Sequence, residues 1–256
     1  MRILSKSSAR ATALAVALLA LSCSRWMPWR TEPREEEVNF AFTLEQNLVR
    51  LKSVRIDSRD GRFLLGSAAP RTIVDPRFRL RRFRAHALQI SEKETLRIDP
   101  APHDLRGVAD AIIGIEAWRD RAITIDYHSG LVTYQKEGIK SGLMQVYRFP
   151  AEPMITVNVN GREIAVIVDT TSPDTLVLPG GVHGRGTANV RIGNTEFGTI
   201  DVQYANVARA RVGNRLLSRF LITIDYGRRV VGLWRDPRIP LESSSLQVVE
   251  PPSESS

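Results

Sequence analysis

Asp169 closes the apolar run Ile164-Ala165-Val166-Ile167-Val168 and is followed by Thr170-Thr171-Ser172-Pro173. A carboxylate at the end of such a strand, on a turn, is placed for general acid or base work. The same pattern occurs 103 residues earlier as Phe63-Leu64-Leu65-Gly66-Ser67-Ala68-Ala69-Pro70, where Gly66 stands in the place of Asp169. The candidate site is therefore Asp169 and Thr170, with Thr171, Gly66, Ser67 and Ala68 around them. Other chemistries have less support. His86, His103, His128 and His183 are scattered without metal-ligand spacing. Ser67 is not in a Gly-x-Ser-x-Gly elbow, and the chain has no phosphate loop of the Gly-x-x-x-x-Gly-Lys type. Neither a metal nor a cofactor is expected.

The elements that position these residues are duplicated. Ile123-Thr124-Ile125-Asp126-Tyr127 returns 99 residues later as Ile222-Thr223-Ile224-Asp225-Tyr226. At the same offset upstream lie Ile113-Gly114 and Val212-Gly213. Helical periodicity is scarce, and short β-branched runs between turn signals predict a mostly-β chain. Asn160-Gly161 between alternating apolar runs is a strong hairpin signal. Asp60-Gly61 predicts the matching hairpin, with residues 54–56 and 63–65 as its arms. Two more hairpins are expected at 123–134 and 221–234. Short helices are expected at 116–121 and 215–220, after each glycine.

Residues 1–22 read as a secretory signal: Arg2, Lys6 and Arg10 precede an apolar stretch too short to span a membrane. Cys23, the single cysteine, follows Leu19-Ala20-Leu21-Ser22. This resembles a bacterial lipobox and implies lipidation of Cys23, with no Asp after it, so the outer membrane is favoured. Residues 23–42 then read as a tether and 237–256 as a disordered tail. The formal net charge is +8. Much of it lies in Arg77-Phe78-Arg79-Leu80-Arg81-Arg82-Phe83-Arg84, whose alternation predicts a strand with Phe78, Leu80 and Phe83 inward. An exported chain with this pattern is not expected to bind nucleic acid.

The stretch from Asn160 to Ser172 resembles the active-site hairpin of retropepsin-like and pepsin-like aspartic proteases, in which a strand delivers Asp-Thr/Ser-Gly into a tight turn. The apolar-apolar-Gly strands, short helices and final hairpins of both copies resemble that family's closing segments. The resemblance implies two β-barrel lobes, residues 43–135 and 151–236, joined by 136–150. It also implies two carboxylates sharing a proton across the lobe interface. Here Gly66-Ser67-Ala68 fills one site, so one carboxylate is missing, and Thr171 replaces the usual glycine in the other. Arg211 stands where the first copy has Ile112. The expectation is a cell-envelope lipoprotein that has lost catalysis and binds extended peptide or an envelope protein in the cleft. The alternative is an active aspartic endopeptidase that draws its second carboxylate from a homodimer or a non-homologous position. A blander reading is a structural lipoprotein with its cleft packed shut. The oligomeric state is open.

Overall fold

The two Ile-Thr-Ile-Asp-Tyr copies pair with each other. In the computed structural model, Ala122–Asp126 lies antiparallel to Leu221–Asp225 with Thr124 opposite Thr223. These residues are equivalent in the repeat, so a local two-fold axis passes between them. Their Oγ1 atoms are 2.8 Å apart. Two strands flank the central pair on each side, and the sheet runs on beyond them on the first-half side only. Leu131–Gln135 and Val38–Glu45 follow on one side, Val230–Trp234 and Gln145–Arg148 on the other. The alternating isoleucines explain the arrangement. Ile123, Ile125, Ile222 and Ile224 are fully buried on one face, while the threonines take the other.

Each half then threads a strand in the same way. In the first, Ala111–Ile113 runs parallel to Phe63–Leu65 and antiparallel to Ile73–Val74, lying between two strands that are neighbours in sequence. In the second, Arg211–Val212 sits likewise between Arg162–Val168 and Leu176–Pro179. The second half closes into a six-stranded barrel. The first instead carries a separate sheet of Arg59–Asp60, Arg55–Ile56, His86–Gln89 and Thr95–Ile98. The described residues are 37–81, 85–136, 138–139, 142–238 and 241, and they belong to one compact unit that begins at Glu37. The chain is mostly β, as expected.

Both glycines after the threaded strands are required by close approach. A β-carbon on Gly114 would lie 2.4 Å from the Arg71 carbonyl oxygen, and one on Gly213 would lie 2.4 Å from that of Asp174. The backbone that follows each candidate turn packs directly on its glycine.

Several local expectations are corrected. The first-half hairpin turns at Asp57 and Ser58, both left-handed (φ 49° and 63°), and not at Asp60-Gly61. Phe63 and Leu64 pair with Leu51 and Arg50 instead of with residues 54–56. The basic run forms no strand where it is described. Asp75 caps a 3-10 turn over Pro76–Phe78, and Arg79 leaves it left-handed. Phe78 is buried, and residues 82–84, including Phe83, lie outside the described residues. The predicted helices are single turns beginning one residue earlier, a 3-10 turn at Ile115–Ala117 and an α turn at Asn214–Leu217. The tether expected through residue 42 gives way to strand at Val38, and the 136–150 connection supplies the edge strand Gln145–Arg148. Cys23, the signal segment and residues 242–256 lie outside the described residues.

Candidate functional site

The two candidate turns meet on the two-fold axis. Equivalent backbone hydrogen bonds hold them: Asp169 N–H donates to the Val212 carbonyl at 3.0 Å, and Gly66 N–H to that of Ile113 at 2.9 Å. The turns then cross-link. Ser67 N–H donates to Thr170 Oγ1 at 3.0 Å, and Thr170 N–H donates to Ser67 Oγ at 2.9 Å. Each hydroxyl passes a hydrogen bond on to the opposite strand. Ser67 Oγ donates to the Val168 carbonyl at 2.6 Å, and Thr170 Oγ1 to that of Leu65 at 2.5 Å. Both side chains are fully buried. Buried hydroxyls need both donor and acceptor partners, and here each accepts from the backbone N–H of the opposite turn and donates to a carbonyl of the opposite strand.

A second layer supports the turns from the repeat tyrosines. Tyr226 Oη donates to the Ser67 carbonyl at 2.9 Å. Its counterpart Tyr127 donates to Asn214 Oδ1 at 2.7 Å, and Asn214 Nδ2 donates to the Thr170 carbonyl at 2.7 Å and to the Asn47 carbonyl at 2.6 Å. Each tyrosine thus braces the turn of the opposite half, one directly and one through an asparagine. Burial raises the ionisation of both phenols well above the usual tyrosine range. Sequence reasoning missed these tyrosines and Asn214, although the tyrosine at the end of each repeat was in view.

Asp169 is 3% exposed. Its Oδ1 accepts from Thr171 N–H at 2.9 Å and from Thr171 Oγ1 at 2.6 Å. Its Oδ2 accepts from the Arg211 guanidinium at 2.9 Å. Arg211 is half-exposed, so the pair runs from the interior to the surface. Thr171 holds the glycine's place without strain, because its backbone stays outside the left-handed region. Ala68 and Thr171 are the partly exposed members of the two turns, beside Ser67 and Thr170 in the interior.

The first half has no matching pair. A β-carbon on Gly66 would meet Ile112 Cγ2 at 2.6 Å, Ala69 Cβ at 3.1 Å and the Ile113 carbonyl oxygen at 3.1 Å. Ile112 occupies the position equivalent to Arg211, so an apolar side chain fills the space where a carboxylate and its cation would sit. Three further buried or turn-end carboxylates that could serve as a second acid are committed to structure. Asp75 accepts from Arg77 N–H and Leu105 N–H, both at 2.9 Å. Asp126 caps its turn through His128 N–H and Ser129. Asp225 accepts from Arg228 N–H at 2.8 Å.

Just beyond the Asp169 turn, Asp174 lines a cavity of about 200 Å³ with Arg185, Arg215 and Asn47. Burial raises the Asp174 carboxyl, and the two arginines oppose the shift. The glycine-rich segment 180–186 enters the long hairpin at Gly184, and Gly186 leaves room for the Tyr204 ring at 3.0 Å. No protein-family model and no curated protein matches this chain.

Proposed function

We propose that this chain is a catalytically silent, aspartic-protease-like module whose paired turns form the floor of a binding surface for extended peptide. It is held at a bacterial cell envelope through lipid on Cys23. The observation that carries the reading is the crossed Ser67–Thr170 network, which joins two equivalent turns of which one alone bears a carboxylate. A dyad needs two acids sharing one proton. The residue equivalent to Asp169 in the other turn is Gly66, and the charge of Asp169 is balanced by Arg211. Its oxygens accept from Thr171 and Arg211, and among the described residues no second carboxylate is placed to share a proton with it. A second chain would find the position opposite Thr170 already filled by Ser67, which argues against pairing two copies of Asp169. Peptide binding follows the general mode in which an extended segment adds to strand edges and side-chain pockets select it.

The test is digestion of a diverse peptide library from acidic to neutral pH, with Asp169→Ala alongside. Equal, background-level cleavage by both proteins is the expected result. Cleavage that vanishes in Asp169→Ala overturns the reading in favour of an active endopeptidase. Incorporation of labelled fatty acid into the exported chain, lost in Cys23→Ser, tests the anchor.

A further inference from the structure

Away from the paired turns, the small four-stranded sheet of the first half borders a cavity of about 760 Å³, within the range of small-molecule sites. His86 lines it while being only 4% exposed. The Asp57-Ser58 turn brings the Asp57 carboxylate onto this ring. Nδ1 of His86 lies 2.6 Å from Asp57 Oδ2, and Asp57 Oδ1 accepts from Ala87 N–H at 3.0 Å. A carboxylate on Nδ1 fixes the ring and leaves Nε2 to meet a ligand. Among the described residues Nε2 has no hydrogen-bond partner.

Arg79 and Arg81 also line the cavity, and among the described residues neither guanidinium has a hydrogen bond or an ion pair. The acidic residues of the lining are already engaged. Asp75 caps the 3-10 turn, and Asp99 pairs with Arg71 at 2.8 Å. The uncommitted charge of the cavity is therefore positive. Its remaining wall is apolar, from Val74, Leu80 and Pro102.

We propose that this cavity binds a phosphate monoester carried on a small apolar group. Guanidinium forks match phosphate oxygens in geometry and charge. With Nδ1 held by Asp57, Nε2 is the ring atom left to hydrogen-bond a phosphate oxygen or its hydroxyl. The apolar group of the ligand lies against Val74, Leu80 and Pro102. Three independent features thus converge: a braced histidine, two arginines without a partner among the described residues, and an apolar wall.

The experiment is calorimetric titration of the full chain with hexyl phosphate, inorganic phosphate and hexanol. Hexyl phosphate is expected to bind at least tenfold more tightly than either fragment, and Arg79→Ala/Arg81→Ala to weaken it at least tenfold. Both arginines are exposed, so the double variant should fold. Arg148→Ala, on an exposed edge of the other sheet, should bind like the wild type. Wild-type affinity in the double variant would overturn the proposal. So would equal binding of inorganic and hexyl phosphate, or a loss in Arg148→Ala that matches the double variant and reports general charge alone.

Discussion

A β-carbon on Gly66 would stand 2.6 Å from Cγ2 of Ile112. The first half of the chain therefore has no room for the acid that the second half carries at the equivalent place. Gly66→Ala should destabilise the fold by about 1–3 kcal/mol through overpacking. Shortening the neighbour in Gly66→Ala/Ile112→Ala should recover part of that loss. Urea denaturation of the two single variants and the double variant measures the coupling, and additive losses would mean that the residues do not compete for space.

Removing Arg211 leaves the buried Asp169 carboxylate without its cation. Arg211→Met should cost about 1–3 kcal/mol, below the range for fully buried pairs because the guanidinium is half in water. Asp169→Asn in that background should restore most of the loss. Denaturation midpoints at neutral pH decide it; an Arg211→Met protein as stable as the wild type would make the pair ornamental.

Ser67→Ala and Thr170→Val each remove a hydroxyl that both donates and accepts across the two-fold axis, and each strands a buried N–H of the other turn. Each should cost about 1–3 kcal/mol. The double variant should lose less than the sum, because both act on one network. Thermal unfolding of the three variants is the measurement.

Tyr127 and Tyr226 ionise far above the usual range because both phenols are buried. A group held neutral in the folded state contributes stability that is fully present below its unfolded pKa of about 10 and is lost as pH rises beyond it. Burial also raises Tyr134 and Tyr147, so alkaline titration followed by tyrosinate absorbance should show at least Tyr127 and Tyr226 of the five tyrosines ionising only with unfolding. Tyr127→Phe should remove one late-titrating phenol and leave Asn214 Oδ1 without its donor. Smooth titration of all five before unfolding would contradict the buried geometry.

The duplication and its strongest turn were legible because their signals are local. Asn160 and Gly161 both take left-handed backbone, at φ 51° and 83°, as the hairpin requires. Asp60-Gly61 carried the same signature and misled, since Gly61 serves packing. A β-carbon there would lie 2.5 Å from the Phe63 ring. The true turn, Asp57-Ser58, has no glycine. The edge strand Gln145–Arg148 was hidden because its faces are half-exposed and exposed, with no buried apolar alternation to read. Arg211 was visible as a departure from Ile112, but its contact with Asp169 spans 42 residues and exists only once the threaded strand is in place.

A strand pair centred on Thr124 and Thr223 is what two identical subunits build when they associate isologously, each residue meeting its own copy. In such an assembly every substitution appears on both sides of the axis, so an acid cannot be kept on one side and discarded on the other. Tandem linkage removes that constraint. Gly66 in the place of Asp169, Ile112 answering Arg211, and Asn214 relaying one tyrosine but not the other are forms of inequality open only to a chain that contains both of its own subunits.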